Sequence, residues 1–206
     1  CGITCPAGIN VQGYVQLIGQ GKYKEAVELI MERLPLPGTL GRVCPHACEA
    51  ECRRLEVDEA ISIRDLKRFA ADQVDLSQLP LPEIVEREEK LAIIGSGPVG
   101  LTAAYYLRLK GYQVTIIESL AALGGVLRVG IPDYRLPPEV LDNEINHILN
   151  LGVESRTGKA LGVDFTLQDL EKEGFKAVFL GTGAHGGIKL NVPGEEEFEG
   201  VSDAVD

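Results

Sequence analysis

The first third of the chain carries the hydrophobic pattern of short amphipathic helices. Apolar residues recur every three or four positions at Val11–Gly19, at 22–33 and at 63–71, so each segment presents one apolar face. The segment 35–41 holds two prolines and two glycines, which predicts the end of the second helix and a turn that returns the chain. We therefore expect helices joined by loops in this part of the chain.

From residue 90 onward, continuous apolar runs replace the helical period. The runs at Lys90–Ile94, Gln113–Ile117 and 176–180 predict buried strands, and the pattern at 101–110 predicts a helix between the first two. Strands that alternate with helices are typical of a parallel sheet covered on both faces. The second pattern therefore predicts an α/β fold of the Rossmann-like type.

The change of pattern predicts two domains of different class. The stretch 76–89 combines two prolines with a run of charges and has neither period, which predicts a linker. We expect a helical domain at 1–75 and a Rossmann-like domain at 90–206, so the fold class is α followed by α/β.

The composition mainly excludes certain classes of function. The chain has 31 acidic and 20 basic residues, a formal net charge of −11, which repels phosphate backbones and excludes non-specific nucleic-acid binding. No apolar run approaches the ~18 residues of a membrane span, so we expect no membrane insertion and a cytoplasmic location. The acidic stretch 192–206 is expected to be a solvated loop. The chain begins with cysteine and holds one methionine, Met31, so we expect a piece of a longer protein.

All five cysteines lie within the first 52 residues, in two groups. Cys1 and Cys5 form one C-x3-C step, and Cys44, Cys48 and Cys52 form two more. Disulfides are the least favoured interpretation, because the count is odd and nothing indicates secretion. Zinc accepts such spacing and the neighbouring histidine. Iron–sulfur ligation ranks first, because clustered thiols beside a Cys-Pro step are typical of ferredoxins.

The sequence GSGPVG at 95–100 follows a predicted strand and precedes a predicted helix, which is the context of a dinucleotide-binding turn. Gly95 permits the tight turn, Gly97 lets the backbone approach a pyrophosphate, and Gly100 packs the helix against the strand. Glu118 stands at the end of the second strand and is predicted to accept hydrogen bonds from an adenosine ribose. An acidic residue there favours NAD or FAD over NADP.

Two later glycine features bear on the choice of dinucleotide. A paired glycine at 124–125 leads into a proline-containing loop, where a NAD dehydrogenase would continue with another helix-and-strand unit. This pattern favours a flavin lying along the backbone. The sequence GTG at 181–183 ends the last predicted strand, where Thr182 either faces the cofactor or belongs to a plain turn.

The motifs of both parts occur in a fixed order along the chain. They are C-x3-C-P at 1–6, GRVCP at 41–45, AISI at 60–63, GSGP at 95–98, GGVLR at 124–128 and GIPDYRLP at 130–137. Together they resemble the small (beta) subunit of NADPH-dependent glutamate synthase and the N-terminal half of dihydropyrimidine dehydrogenase, over essentially the whole chain. The resemblance implies an oxidoreductase subunit without a catalytic acid or base. NAD(P)H reduces FAD in such proteins, and electrons leave through 4Fe–4S clusters to a partner subunit or domain.

The resemblance also assigns residues to the cofactors. Cys1 and Cys52 would serve one cluster, and Cys5, Cys44 and Cys48 with a non-cysteine ligand would serve another. By matching motifs, the FAD contacts would be Gly95, Ser96, Gly97, Pro98, Val99, Glu118, Gly125, Val126, Arg135 and Leu161, and the two glycine turns add Gly100 and Thr182.

Departures from the family shape three further expectations. Relatives carry two more cysteines just upstream of Cys1, so the first cluster is expected to be incomplete. The helix that offers Gln or Glu as a ligand in relatives has DLKRF at 65–69, where Lys67 and Arg68 cannot serve. Asp65, a nearby residue or a hydroxide remain as candidates. A nicotinamide-binding domain follows this point in relatives, so the Rossmann-like domain is expected to be truncated, and inactive towards NADPH alone.

A different class of function accounts for the same motifs. In this alternative, zinc holds the helical domain, and the Rossmann fold binds NAD or serves as a docking surface, without catalysis. A third possibility is an inert folded fragment.

Overall fold

The computed structural model describes residues 1–184, 186, 189, 191–195 and 197–200. The helices are α1 (Val11–Gly19), α2 (Tyr23–Met31), α3 (Pro37–Val43), α4 (Ala47–Ala50), α5 (Ile63–Asp72), α6 (Pro98–Leu109), α7 (Val126–Val129), α8 (Pro138–Asn150) and α9 (Leu167–Lys172). The strands are β1 (Lys90–Ile94), β2 (Gln113–Ile117), β3 (Glu154–Arg156) and β4 (Phe175–Leu180). Single 3-10 turns lie at Arg53–Glu56 and Leu76–Gln78. The predicted helices and strands are confirmed, and α3, α4, α7, α8, β3 and α9 are additional.

The strands form one parallel sheet in the order β3-β2-β1-β4. Along β1, Ile93 packs into the larger apolar core, whereas Ala92 and Ile94 pack with Leu170 of α9 on the opposite face. Burial on both faces explains why β1 and β2 are continuous apolar runs rather than alternating ones.

The paired glycine is followed by α7 and then by the proline-containing loop that the sequence indicated. Helix α8 and strand β3, which lies parallel to β2, come next. A helix-and-strand unit therefore follows the loop, so the lack of such a unit does not support a flavin here. Strand β3 has three exposed residues and no apolar pattern, so it gives no sequence signal.

The segment expected to be a turn before Cys44 is the helix α3. Pro37 is its first residue, a position where the missing N–H costs nothing and the fixed φ suits a helix. Gly38 and Gly41 are helical and serve close packing instead. A Cβ at Gly41 would lie 2.7 Å from the Cα of Arg68 in α5, and one at Gly38 would lie 3.0 Å from the Val140 side chain in α8.

Gly41→Ala is expected to destabilise the chain. The added methyl meets backbone of α5, which cannot move independently, so we expect a loss of about 1–3 kcal/mol in the free energy of unfolding. Urea unfolding followed by circular dichroism measures it. Gly19→Ala in α1 is the control, because its Cβ meets nothing within 4 Å. Equal midpoints for the two variants would contradict the packing role of Gly41.

The predicted linker 76–89 packs against both parts of the chain. Leu76 and Leu79 are buried in a core that runs from the helical part to one face of the sheet. Glu86 forms an ion pair with the buried Arg108 of α6. The two parts therefore share one core, and the limits of the domains at 75 and 90 stay a prediction.

Two remaining expectations concern the surface. Within the part of the chain that the structure describes, no helix is both long and apolar enough to cross a membrane. In the acidic stretch, the residues at 192–195 and 197–200 are exposed or half-buried, as expected of a solvated loop. Glu196 and 201–206 lie outside the described residues.

Candidate cluster and dinucleotide sites

Three thiols of the helical part lie within electrostatic reach of the buried Tyr14. We call them the inner thiol set: Cys5, Cys44 and Cys48. Cys44 directly follows α3, Cys48 lies in α4, and Cys5 belongs to the N-terminal loop. Burial raises the pKa of the Cys48 thiol, and the neighbouring thiolate charges of Cys44 and Cys5 raise it further. The fold thus brings together residues 43 positions apart.

Two buried side chains border the inner thiol set. Tyr14 of α1 is fully buried and donates a hydrogen bond from its hydroxyl to the carbonyl of Ile63 at 2.9 Å. Lys67 of α5 is 3% exposed. Burial raises the pKa of Tyr14 and lowers that of Lys67, and the charges of all three thiols raise both. Both side chains therefore lie within electrostatic reach of the whole set.

Asp65, one of the ligand candidates from the sequence, is not buried beside the inner thiol set. Its side chain is 61% exposed and pairs with Arg64 at 3.1 Å, on the solvent side of α5. The buried residues of this helix are Ile63, Lys67 and Ala70. The helix therefore presents Lys67, and not Asp65, to its buried side.

Cys52 and Cys1 form a separate pair. Backbone N–H groups of Ile61 and Arg54 donate to the Cys52 sulfur and lower its pKa, and the N-terminal ammonium of Cys1 lowers it further. The amino terminus at Cys1 therefore lies within electrostatic reach of Cys52. All five cysteines are free thiols, so the structure gives no support to the disulfide interpretation.

The inner thiol set has the ligand type that 4Fe–4S clusters bind. Zinc holds sulfur at ~2.3 Å, which draws its ligands tightly together. No group of three Cys, His, Asp or Glu side chains in the described residues could hold one metal ion. His46 instead places Nδ1 3.2 Å from the carbonyl oxygen of Cys44, and its backbone N–H donates to the Cys44 sulfur at 3.4 Å. Such N–H···S bonds are a known means of tuning iron–sulfur clusters.

The glycine turn at 95–100 has the geometry of a phosphate-binding turn. Gly95 has φ +98°, and a Cβ there would lie 2.3 Å from the carbonyl oxygen of Gly181. A Cβ at Gly100 would lie 2.0 Å from the carbonyl oxygen of Gly95, so α6 approaches β1 closely. At Gly97, the N-cap of α6, a Cβ would meet nothing within 4 Å. The turn is therefore packed on its inner side and open at Gly97.

Glu118 is buried beside the turn, where it accepts hydrogen bonds from within the chain. Its Oε2 accepts from the Ser96 N–H at 2.8 Å and hydroxyl at 2.5 Å, and its Oε1 accepts from the Leu120 N–H at 2.9 Å. Burial acts to raise the pKa of Glu118, but these bonds outweigh it and the pKa is lowered. The ionised carboxylate organises the turn, and ribose binding by Glu118 stays a prediction.

The other residues predicted to contact FAD differ in how closely they approach the turn. A Cβ at Gly125 would lie 2.9 Å from the Cα of Gly97, and Thr182 follows the glycine that abuts Gly95. Pro98 and Val99 begin α6, and Val99 and Val126 are exposed. Arg135 is exposed in the loop before α8, and Leu161 packs against the smaller core beneath the sheet. Cofactor contact by any of these residues stays a prediction.

Family models match both parts of the chain. Residues 1–79 match the model described as dihydropyrimidine dehydrogenase domain II, 4Fe-4S cluster, and residues 93–152 match an NAD(P)-binding Rossmann-like domain. Residues 1–79 are thus similar to the 4Fe–4S domain of dihydropyrimidine dehydrogenase. A Rossmann-like domain follows it, and the predicted fold class is confirmed.

Curated relatives agree with the family models. The chain is 41% identical to the NADP(+)-dependent formate dehydrogenase subunit beta of Moorella thermoacetica, covering 97% of this chain and 31% of the relative. It is 34% identical to the glutamate synthase [NADPH] small chain of Bacillus subtilis, covering 98% of this chain and 41% of the relative. The resemblance found in the motifs is confirmed, and the chain spans less than half the length of these relatives.

A solved structure shows weaker likeness. FprA from Mycobacterium tuberculosis is 23% identical with a TM-score of 0.47, covering 53% of this chain and 26% of FprA. This likeness is too low to support an inference about the site.

The sequence analysis missed the residue that joins the 4Fe–4S domain to the sheet. Glu144 of α8 is buried, and it accepts hydrogen bonds from the N–H groups of Gly38 and Thr39 and from the Thr39 hydroxyl at 2.5 Å. These groups form the first turn of α3, whose N–H groups have no partner within the helix. A glutamate between Leu141, Ile145 and Ile148 on an apolar helix face was the available signal.

Proposed function

We propose that this chain is the electron-transferring part of an NAD(P)H-dependent oxidoreductase subunit. FAD lies along the turn at 95–100, and the inner thiol set holds a 4Fe–4S cluster. The observation that carries the proposal is that the two sites are built on one shared hydrophobic core. Electron transfer between two cofactors needs a fixed separation, which the protein must supply.

Helices α8 and α3 connect the two sites. Arg128, three residues after Gly125, forms an ion pair with Asp142 of α8. Two residues later in α8, Glu144 holds the first turn of α3, and the last turn of α3 leads into Cys44. The glycine loop beside the turn and the first thiol of the inner set are therefore tied to the same pair of helices.

The residues of the two sites have different roles. When bound, FAD takes an electron pair from NAD(P)H and releases electrons singly to a 4Fe–4S cluster. Gly97 leaves room for a pyrophosphate, and the N–H groups at the start of α6 favour negative charge there. Ser96 and Glu118 hold the turn in shape, and the three inner thiolates would bind iron.

The partner and the setting are part of the same proposal. Relatives are named as a beta subunit and a small chain, which supports a partner oxidoreductase subunit as the electron acceptor. The partner's chemistry would then determine the final substrate. A cytoplasmic location agrees with this role.

A second candidate is direct binding of NAD(P) at the turn. The family model that matches residues 93–152 is described as NAD(P)-binding, and α8 and β3 continue the fold as a nicotinamide-binding domain would. Binding measurements with FAD, NADH and NADPH on the same sample separate the two candidates.

Gly97→Ala is expected to weaken FAD binding without unfolding the chain. The methyl group enters the open space at Gly97, and the backbone there has φ −65° and ψ −176°, which alanine adopts freely. A clash of about 1–3 kcal/mol corresponds to roughly 5- to 150-fold weaker binding. Flavin fluorescence titration measures this loss.

Gly19→Ala is the matched control, with a methyl group in equally open space on α1. We expect it to bind FAD as the wild type does. Unchanged FAD affinity in Gly97→Ala would overturn the placement of the flavin. Tight NAD(P)H binding by a wild type that does not bind FAD would favour the second candidate.

A further inference from the structure

Lys67 is a buried cation on the core side of α5. Ile63 and Ala70 are the other buried residues of this helix, so the lysine interrupts an apolar face. Only 3% of Lys67 is exposed, and the charges of Cys5, Cys44 and Cys48 all act on its ammonium. The buried Lys67 side chain therefore lies within electrostatic reach of the inner thiol set.

The other buried charges in the described part of the chain have partners. Arg108 pairs with Glu86 and donates to the carbonyl of Leu151 at 2.7 Å, and Glu144 accepts from three donors. Lys67, by contrast, forms no hydrogen bond or ion pair with any residue that the structure describes. An uncompensated buried ammonium costs several kcal/mol, so this position requires a negative charge nearby.

The charged groups that act on Lys67 indicate which of them supplies that negative charge. On its own helix, Arg64 acts on Lys67 with a charge of the same sign and pairs with Asp65. The groups of opposite charge are the three thiols. A 4Fe–4S cluster bound by three thiolates is anionic, and its fourth corner has no cysteine in this chain's inner set.

We propose that Lys67 is the counter-charge of the inner cluster: its buried ammonium lies within electrostatic reach of the three thiolates and would make a cluster bound by them easier to reduce. The inference rests on the proposed function, because it requires the cluster. Reduction adds one electron, forms no bond and moves no proton. A fixed positive charge in a poorly solvated site stabilises the more negative, reduced state.

The test compares Lys67→Met with wild type as anaerobically purified chains. Iron and sulfide are quantified first, and the midpoint potential is then measured by titration followed by electron paramagnetic resonance. We expect Lys67→Met to keep its iron and sulfide. Its equilibrium constant for one-electron reduction should fall at least tenfold, a shift of about 59 mV to lower potential.

Three variants complete the design. Lys67→Arg keeps the charge and should keep the potential, and Lys67→Gln is a second neutral variant in case methionine disturbs folding. Arg68→Met is the matched control, because Arg68 is the next residue of α5 but is exposed and pairs with Asp72 at 3.6 Å. Its potential should equal that of the wild type.

The outcomes separate the possibilities. Equal potentials in the wild type and both neutral variants would overturn the inference, as would a shift of the same size in Arg68→Met. Loss of one iron on removal of Lys67, seen as a three-iron signal, would make Lys67 a ligand and overturn the counter-charge role. A wild-type chain without iron and sulfide would instead overturn the proposed function.

Discussion

Cys44→Ser is expected to remove nearly all iron and sulfide of the inner cluster. Cys44 connects α3 to the inner thiol set, and its sulfur receives the N–H of His46. Serine preserves the size of the side chain but replaces a soft thiolate with a hydroxyl, which is a poor ligand for an iron–sulfur cluster. Iron and sulfide analysis with an anaerobic absorption spectrum measures the loss.

The same variant should also lower the stability of the 4Fe–4S domain. The domain is built from short helices, and a bound metal group contributes its binding free energy to folding. We therefore expect a lower midpoint of urea unfolding than in the cluster-loaded wild type. The difference should vanish when the wild type is stripped of iron.

Cys52→Ser is the matched control for Cys44→Ser. The pKa of Cys52 is lowered by backbone N–H groups and by the amino terminus at Cys1, and none of the inner thiols contributes to this shift. We expect this variant to keep the inner cluster. Equal iron loss in both variants would contradict the division of the cysteines into two groups.

Glu144→Ala is expected to destabilise the chain by about 3–5 kcal/mol. Its removal leaves the N–H groups of Gly38 and Thr39 and the Thr39 hydroxyl buried without their acceptor. It also frees the first turn of α3 from α8. Urea unfolding measures the loss, and Glu139→Ala in the first turn of α8, where Glu139 is exposed, is the control.

The pH dependence of stability provides a second measurement on Glu144. Burial raises its pKa from 4.5 to about 7, so the folded chain holds this proton more tightly than the unfolded chain. The stabilising effect of the proton is complete below pH 4.5 and is lost as the pH rises to about 7. Relative to Glu144→Gln, the wild type should lose on the order of 3 kcal/mol across this window.

Comparison with Glu144→Gln isolates this contribution. The buried His147 of α8 has a pKa lowered by burial, so its effect on stability has the opposite sign and is lost as the pH falls. His147 is present in both proteins and cancels in the difference. Parallel stability profiles in the wild type and Glu144→Gln would contradict a raised pKa at Glu144.

The elements and motifs that the sequence predicted correctly depend on local physics. Helices α1, α2 and α5 follow from spacing within one segment, and GSGPVG needs only its adjoining strand and helix. The 4Fe–4S domain was recognisable because cysteine is rare and its spacing is compact. Each of these signals lies within a few residues of the structure it predicts.

The wrong predictions concern residues that are compatible with two different local structures. Proline and glycine at 35–41 indicate a turn, yet Pro37 also suits the first position of a helix. Gly38 and Gly41 are then required by contact with α8 and α5. The sequence offered no way to choose, because the deciding contacts are with helices that come later in the chain.

By itself, the sequence determined the fold class, the 4Fe–4S domain and the dinucleotide turn, because periodicity and motif spacing are local properties. Only the tertiary structure decided that Lys67 is buried and that Glu144 holds α3. Both are charged residues that appear ordinary in the sequence. Their burial depends on partners far away in the chain, 105 residues in the case of Glu144 and Thr39, and no local pattern records such a distance.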